Sequence, residues 1–279
     1  VKIMVSDHFI HPTAIIEEGA VLGRDVTVGP YSVVGKDVSL ADNITLKSHV
    51  VIEGHTYIGE GSVIYPFASL GSKPQDLKYD GEESQLIIGK NNTIREHVTM
   101  NPGTKAGEMK TIIGDDGLFM VGVHVAHDCV IGNGVIMANN ATLGGHVIVG
   151  DHALIGGLAA VHQFVRIGSF AVIGGMSGVE NDVIPFGRVK GDRASLAGLN
   201  LVGLERGGFD KKQIRQLQKA VHMIFEGEDN FEGRLENVAN EFGDDLNVQS
   251  VVDFARNKRK FGLCPVSYTH LTLPTIVRV

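Results

Sequence analysis

Five of the twelve histidines in this 279-residue chain fall within one segment: His124, His127, His146, His152 and His162. An imidazole can take up and release a proton near neutral pH, and a carboxylate beside it, here Asp128 after His127, can orient the ring or balance its charge. Gly144 and Gly145 precede His146. A glycine pair leaves backbone N–H groups open to a ligand, as a main-chain oxyanion site requires. His127, Gly145 and Gln163 are separated by eighteen residues at each step, so a fold that stacks residues at that interval would bring a base, a backbone donor and a side-chain amide together. Zinc is a rival chemistry. Three histidines from neighbouring turns could hold it with an open fourth position, and His124-x-x-His127 has acceptable ligand spacing. In an extended strand those two would point to opposite faces, an objection that a corner between them weakens. Taken singly, each histidine also fits a surface residue on a polar corner.

The elements that must position these residues are visible as a repeat. Stepping by six from Ile10, every slot to Leu70 is apolar; a second block holds Ile88, Ile94 and Met100, and a third runs without a polar slot from Ile113 to Val179. Four residues after each slot a small or β-branched residue recurs (Ala14, Ala20, Val26, Ser32, Val38), and Gly often follows the slot directly, as at Gly23, Gly29, Gly35, Gly59 and Gly71. Neither a helix nor an alternating strand has this period. It suits a parallel β-helix of short strands, with one inward aliphatic residue per side and Gly easing the corners. Three hexads per turn make eighteen residues the distance between stacked positions; the period does not give handedness. The repeat breaks at Ser72 to Ser84 and again around Gly103 to Lys110, both read as loops leaving the coil. After about Pro185 helical patterning takes over: Asp210 with Gln213 forms a capping box before Ile214, Leu217, Val221 and Ile224, and further helices are expected around Leu235, Val238 and Phe242 and around Val251, Val252 and Ala255. The expected organisation is a mainly β solenoid over 1–190, a small C-terminal α-helical domain over 191–263, and a tail over 264–279 whose native origin is open.

Composition narrows the function. Asp plus Glu exceed Lys plus Arg, 32 to 25, a net charge of −7 that argues against a nucleic-acid partner. With two cysteines, Cys129 and Cys264, there is no disulfide framework, and no apolar run of signal-peptide length opens the chain, so a cytosolic protein is expected. Cys129 occupies a small-residue slot and is read as core. The uncharged stretch from Cys129 to Gly150 contains Asn133, Asn139, Asn140 and His146, and is read as coil wall rather than an integral membrane segment.

The strings His11-Pro-Thr-Ala14, Gly54-His55-Thr56, Gln75-Asp-Leu-Lys-Tyr79, His124-Val-Ala-His-Asp-Cys129, Ala138-Asn-Asn-Ala-Thr142, Gly145-His-Val147 and Ala160-Val-His-Gln-Phe164 closely resemble the family of acyl-carrier-protein-dependent UDP-N-acetylglucosamine O-acyltransferases, which open lipid A synthesis in Gram-negative bacteria. The similarity covers roughly residues 5 to 262. Hexads alone would indicate only a large superfamily of acyl- and acetyltransferases; the Gln75 loop and the two histidine strings are specific. The resemblance implies a left-handed β-helix with a helical C-terminal domain, and a cytoplasmic homotrimer with active sites between subunits. It places the general base on His127, its partner on Asp128 and the oxyanion donor on the N–H of Gly145. Asp76 matches a sugar-contacting position in the Gln75 loop; Lys78, His124 and His146 match positions near the sugar and the reacting acyl group. His162, Gln163, Asn200 and Arg206 match nucleotide- or acyl-contacting positions. Gly175 stands where residue size limits the acyl pocket, and a small residue resembles the long-chain members. Two departures concern the uridine and phosphate contacts: a family carboxylate is Val202 here, and a second family arginine is Gly207.

The implied reaction moves a 3-hydroxyacyl group from the thioester of acyl carrier protein to the 3-hydroxyl of UDP-N-acetylglucosamine, with no acyl-enzyme and no metal or bound cofactor. The alternatives are an N-acyltransferase acting on the amino sugar, whose extra N-terminal domain is not expected before hexads that begin at Ile10, and a zinc hydratase on the same solenoid. A third is a purely structural solenoid that binds carrier protein.

Overall fold

The computed structural model describes residues 3–5, 8–226, 228–257 and 260–266. Each hexad contributes a strand of mostly two residues whose slot side chain points inward and whose preceding residue points outward. Val28, Leu46, Ile64, Ile94, Phe119 and Val125 are fully enclosed, and the small residues four positions on, such as Val26, Val50, Cys129 and Ala141, fill the corners between them. Ile10 pairs with Val28, Val28 with Leu46 and Val125 with Leu143, so the eighteen-residue spacing is the true coil-to-coil step. Among the described residues the strands form three sheets, of twelve, nine and eight strands, called here the first, second and third faces in the order the chain visits them. Pairing is parallel throughout, apart from the antiparallel partners at the two ends of the first face. This is the left-handed parallel β-helix of the expectation.

The corners are made differently from the expectation. Gly29, directly after a slot, does not have a positive φ; a Cβ there would lie 2.6 Å from the carbonyl oxygen of Lys47 in the next coil. Close stacking of coils excludes a side chain. The left-handed backbone instead falls on the third residue after the slot, as at Asp128 (φ 59), His146 (φ 61) and Phe164 (φ 68). A non-glycine residue in that region costs roughly 1–2 kcal/mol. In return the ladder continues through the corner: the N–H of His146 donates to the carbonyl of His127 at 2.9 Å, and that of Phe164 to the carbonyl of Gly145 at 2.9 Å.

Both breaks in the repeat leave the coil at the corner between the second and third faces. The loop 71–84 starts after Leu70, which pairs with Met100 on the second face, and ends at the third-face strand Gln85–Ile88. The loop 101–109 joins Thr99–Met100 to Lys110–Ile113, and the next coil turns this corner at His127 and Asp128. Two loops therefore overhang the corner that carries the candidate base.

Strands Gly187–Lys190 and Ser195–Leu199 close the first face as a hairpin beyond the last hexads. Four helices follow: α1 Leu201–Arg206, α2 Lys211–Glu226, α3 Phe231–Glu241 and α4 Leu246–Arg256. The capping box before α2 is reciprocal, with the N–H of Asp210 donating to Gln213 Oε1 and the N–H of Gln213 to Asp210 Oδ1, both at 2.8 Å. Cys264, assigned to the tail from sequence, is buried, and its N–H donates to the carbonyl of Asp182 at 2.8 Å. Residues 267–279 of that tail lie outside the described residues. Among the described residues no helix is long and apolar enough to cross a membrane.

Candidate active site

His127 sits on the corner between the second and third faces, with its Nδ1 2.8 Å from Asp128 Oδ2. The pair is covered, the His127 side chain 14% and that of Asp128 1% exposed. Burial pushes the Asp128 carboxyl up, but hydrogen bonds from His127 and from the hydroxyl and N–H of Thr104 outweigh it and hold the carboxyl below the usual aspartate value. An ionised carboxylate only accepts, so His127 Nδ1 carries a proton toward it, and in the neutral form of the ring the Nε2 lone pair is free. That Nε2 is 4.0 Å from Asp76 Oδ2, which the loop 71–84 brings over the corner.

The column read from the eighteen-residue spacing exists. Gly145 lies one coil along from His127, and a Cβ on it would stand 2.6 Å from His127 Cε1. Only glycine lets the ring lie flat against this backbone. Among the described residues the N–H of Gly145 donates no backbone hydrogen bond. Gln163, the third member, is exposed, as is His162 beside it, whose ring meets Phe261 edge-on at 5.4 Å. A neighbouring column holds Asp128, His146 and Phe164. His146 Nε2 is 3.9 Å from Asp128 Oδ2, and its ring stacks on Phe164 at 4.4 Å, with Lys260 Nζ 3.8 Å above the Phe164 ring. Burial lowers the His146 pKa against the opposing pull of Asp128, which favours the neutral ring. His124 shares the corner's wall with its Nδ1 2.7 Å from Thr99 Oγ1, and burial followed by the charge of His127 lowers its pKa. Lys78 and Gln75 are exposed on the loop that holds Asp76, and the Lys78 N–H donates to Asp76 Oδ1 at 2.9 Å.

Ligand atoms of His127, Asp128 and His146 lie within 4.8 Å of one another, close enough to hold a metal ion. The donor set is already committed: His127 Nδ1 and both Asp128 oxygens are engaged in hydrogen bonds with each other and with Thr104. A cation held by those particular atoms would compete with that network, whereas His127 Nε2 and His146 Nε2 lie outside it. Cys129, behind the corner, is fully buried, and desolvation pushes its thiol up to about 12. It is core, as its slot suggested.

The remaining residues lie on other corners. His152 tilts against Phe170 at 4.9 Å on the corner between the third and first faces, away from the His127 cluster. There a groove of about 720 Å³ also takes in Asn200, Val202, Arg206 and Gly207. Asn200 caps α1 through Oδ1 to the Gly203 N–H at 3.0 Å and donates Nδ2 to the carbonyl of Phe170 at 2.8 Å. Gly175 stands on the corner between the first and second faces beside Met176, which is 74% exposed. Sequence reading missed Thr104 and Gly107, which enclose Asp128. The only signal was the phase slip at Gly103 to Lys110, and off-ruler loop contacts are not readable from a period.

Known proteins give the same picture. A profile of the family described as "Udp N-acetylglucosamine O-acyltransferase; Domain 2" matches residues 182–264. The acyl-[acyl-carrier-protein]--UDP-N-acetylglucosamine O-acyltransferase of Rickettsia canadensis is 53% identical over 260 residues, 93% of this chain and 98% of that protein. The protein of the same name from Rickettsia bellii is 52% identical over 265 residues, 95% of this chain and 94% of that one. The solved UDP-N-acetylglucosamine acyltransferase from Campylobacter jejuni superposes with a TM-score of 0.88 at 41% identity, covering 92% of this chain and 100% of that one. The relatives that share this hexapeptide solenoid over nearly their whole length are named as acyltransferases, and the chain is an enzyme of that class. The chain belongs to the UDP-N-acetylglucosamine O-acyltransferase family.

Proposed function

We propose that this chain transfers a 3-hydroxyacyl group from the thioester of acyl carrier protein to the 3-hydroxyl of UDP-N-acetylglucosamine, the first step of lipid A biosynthesis in the cytoplasm. The observation that carries the mechanism is the His127–Asp128 contact, made by a covered imidazole that packs against the side-chain-free backbone of Gly145. His127 Nε2 takes the hydroxyl proton as the sugar oxygen attacks the thioester carbonyl. The Gly145 N–H stabilises the oxyanion, and the proton passes to the departing thiolate of the carrier. The oxygen–acyl bond forms as the carbon–sulfur bond breaks, with no acyl-enzyme, metal or bound cofactor. Asp76, Gln75 and Lys78 on the overhanging loop, with His124 and His146, line the side where the sugar and acyl carbonyl meet. Mass spectrometry of the product from UDP-N-acetylglucosamine and a panel of acyl carrier protein thioesters tests the reading; an N-acylated product or no transfer would overturn it.

The active assembly is a homotrimer. His127 with His162 and Gln163, the Asn200–Arg206 groove, and Gly175 occupy three different corners of one three-sided coil. They share a substrate only if neighbouring copies apose their corners, which also supplies the dry wall that a single exposed corner lacks. Sedimentation should find a trimer, and a fully active monomer would rule the arrangement out.

Gly175 bounds the acyl chain. It is exposed beside Leu158 and Met176, themselves 60% and 74% exposed, an apolar strip with room for terminal methylenes. Each buried methylene is worth about 0.8 kcal/mol. Gly175→Met should therefore slow long donors far more than donors about four carbons shorter, a difference several methylenes wide. Competition assays with mixed thioesters read this directly, and an unchanged ranking of chain lengths removes Gly175 from the pocket.

A further inference from the structure

The loop at the hexad phase slip closes over Asp128. Thr104 is 2% exposed. Its Oγ1 donates to Asp128 Oδ2 at 2.6 Å and its N–H donates to Oδ1 at 3.0 Å. The backbone passes so close that a Cβ on Gly107 would lie 2.2 Å from Asp128 Oδ1. On the other side, the Asp128 N–H donates to Thr111 Oγ1 at 2.8 Å. The loop is tied down within itself by the Gly107 N–H on the Thr104 carbonyl at 3.0 Å. It is also tied to the loop carrying Asp76, by the Lys105 N–H on Glu82 Oε1 at 2.7 Å.

With one donor fixed on each oxygen, the Asp128 carboxylate cannot rotate without leaving a buried donor unsatisfied. Its Oδ2 is thereby aimed at His127 Nδ1 at 2.8 Å. We infer that Thr104 is a positioning residue for acyl transfer: by fixing Asp128 it sets the tautomer and the aim of His127. This rests on the reading of His127 as the base. It differs from a loop pin, because a pin would act on stability and on substrate affinity through the Asp76 loop, whereas Thr104 acts through the reacting imidazole.

The test is steady-state kinetics on Thr104→Val, Thr104→Ser, His127→Ala and the double variant His127→Ala/Thr104→Val. Thr104→Val removes the hydroxyl and keeps the shape. It is expected to lower kcat about 10-fold, the low end of the loss seen when the partner orienting a functional histidine is removed, because Asp128 itself stays in place, with KM for both substrates within about two-fold. Thr104→Ser should restore kcat to within about three-fold of the parent. In the His127→Ala background the valine change should cost nothing further, since the two residues act as one unit. A Thr104→Val enzyme with unchanged kcat, or a loss undiminished in the His127→Ala background, overturns the inference. If the valine variant fails to fold, Thr104→Ala lacks the same hydroxyl and carries the same comparison. Full activity in His127→Ala would bring down the base assignment and this inference together. An inactive His127→Ala beside a fully active Thr104→Val would bring down this inference alone.

Discussion

His127→Ala is expected to give a folded solenoid whose transfer rate is lower by about two to four orders of magnitude, the scale of a lost general base. The fold should survive because His127 belongs to an outward corner: the slots before and after it, Val125 and Ile131, and the corner filler Cys129 keep the core intact. Removing the ring opens a small gap against Gly145 and deletes one of the donors to Asp128 Oδ2, which still accepts from Thr104. Neither change touches the ladder, in which the His127 carbonyl still receives the N–H of His146. The reaction, in contrast, loses the acceptor for the hydroxyl proton. Asp128, 1% exposed and enclosed by Thr104, is too covered to take over. Asp76 Oδ2 lies 4.0 Å from the lost Nε2 and is better placed to bind the sugar than to replace an imidazole. Single-turnover rates on purified variant with its circular dichroism unchanged decide the matter, and turnover near that of the parent would remove His127 from the chemistry.

The solenoid was legible because its rule is one-dimensional. A slot every six residues is a statement about burial, and the structure encloses residues such as Val28, Leu70 and Ile155 at those slots. The same ruler brought His127, Gly145 and Gln163 into one column, since stacking follows from the coil step. What it missed came from outside the period. Glycines after the slots read as corner formers, yet of the five named only Gly71, where the chain leaves the coil, has a positive φ (84); the left-handed corner residues are Asp128, His146, Phe164 and their equivalents, because the corner's ladder bonds outweigh a local preference. The two loops were seen only as interruptions. That both leave at the His127 corner follows from their phase: Leu70 and Met100 share the second face with Val125. The contacts they make with Asp128 and His127 depend on loop conformation, which no period encodes. Asn200 and Gly175 lie on different corners and are not brought together within one chain, and the proposed trimer that would join them is not written in a single chain's sequence.

Asp182→Ala should destabilise the native state by about 3–5 kcal/mol, the cost of leaving one half of a buried ion pair unpartnered. Arg166 precedes the slot residue Ile167, a position that elsewhere on the coil faces outward. Here the helical region covers it, and Arg166 and Asp182 are 6% and 1% exposed. Arg166 Nε donates to Asp182 Oδ2 at 2.8 Å, and the Arg166 N–H donates to Oδ1 at 2.7 Å. The guanidinium then reaches α4, donating from Nη2 to the carbonyl of Phe254 at 3.2 Å and lying 4.2 Å from the Phe254 ring centroid. The Asp182 backbone binds the chain's last described stretch, its N–H donating to the Gly262 carbonyl at 2.9 Å. One pair thus joins the final coil, α4 and residues 262–264. Removing the carboxylate strands a guanidinium that solvent cannot reach, and α4 should show faster amide exchange before the coil does. Removing both charges, in Arg166→Met with Asp182→Leu, should recover most of the loss, because an apolar pair of similar volume avoids the desolvation cost altogether. Chemical denaturation of the single and double variants, read together with exchange rates in α4, measures both. A loss below about 1 kcal/mol in Asp182→Ala, the range of an exposed pair, would mean that water reaches Arg166 and that this joint does not hold the helical region to the coil.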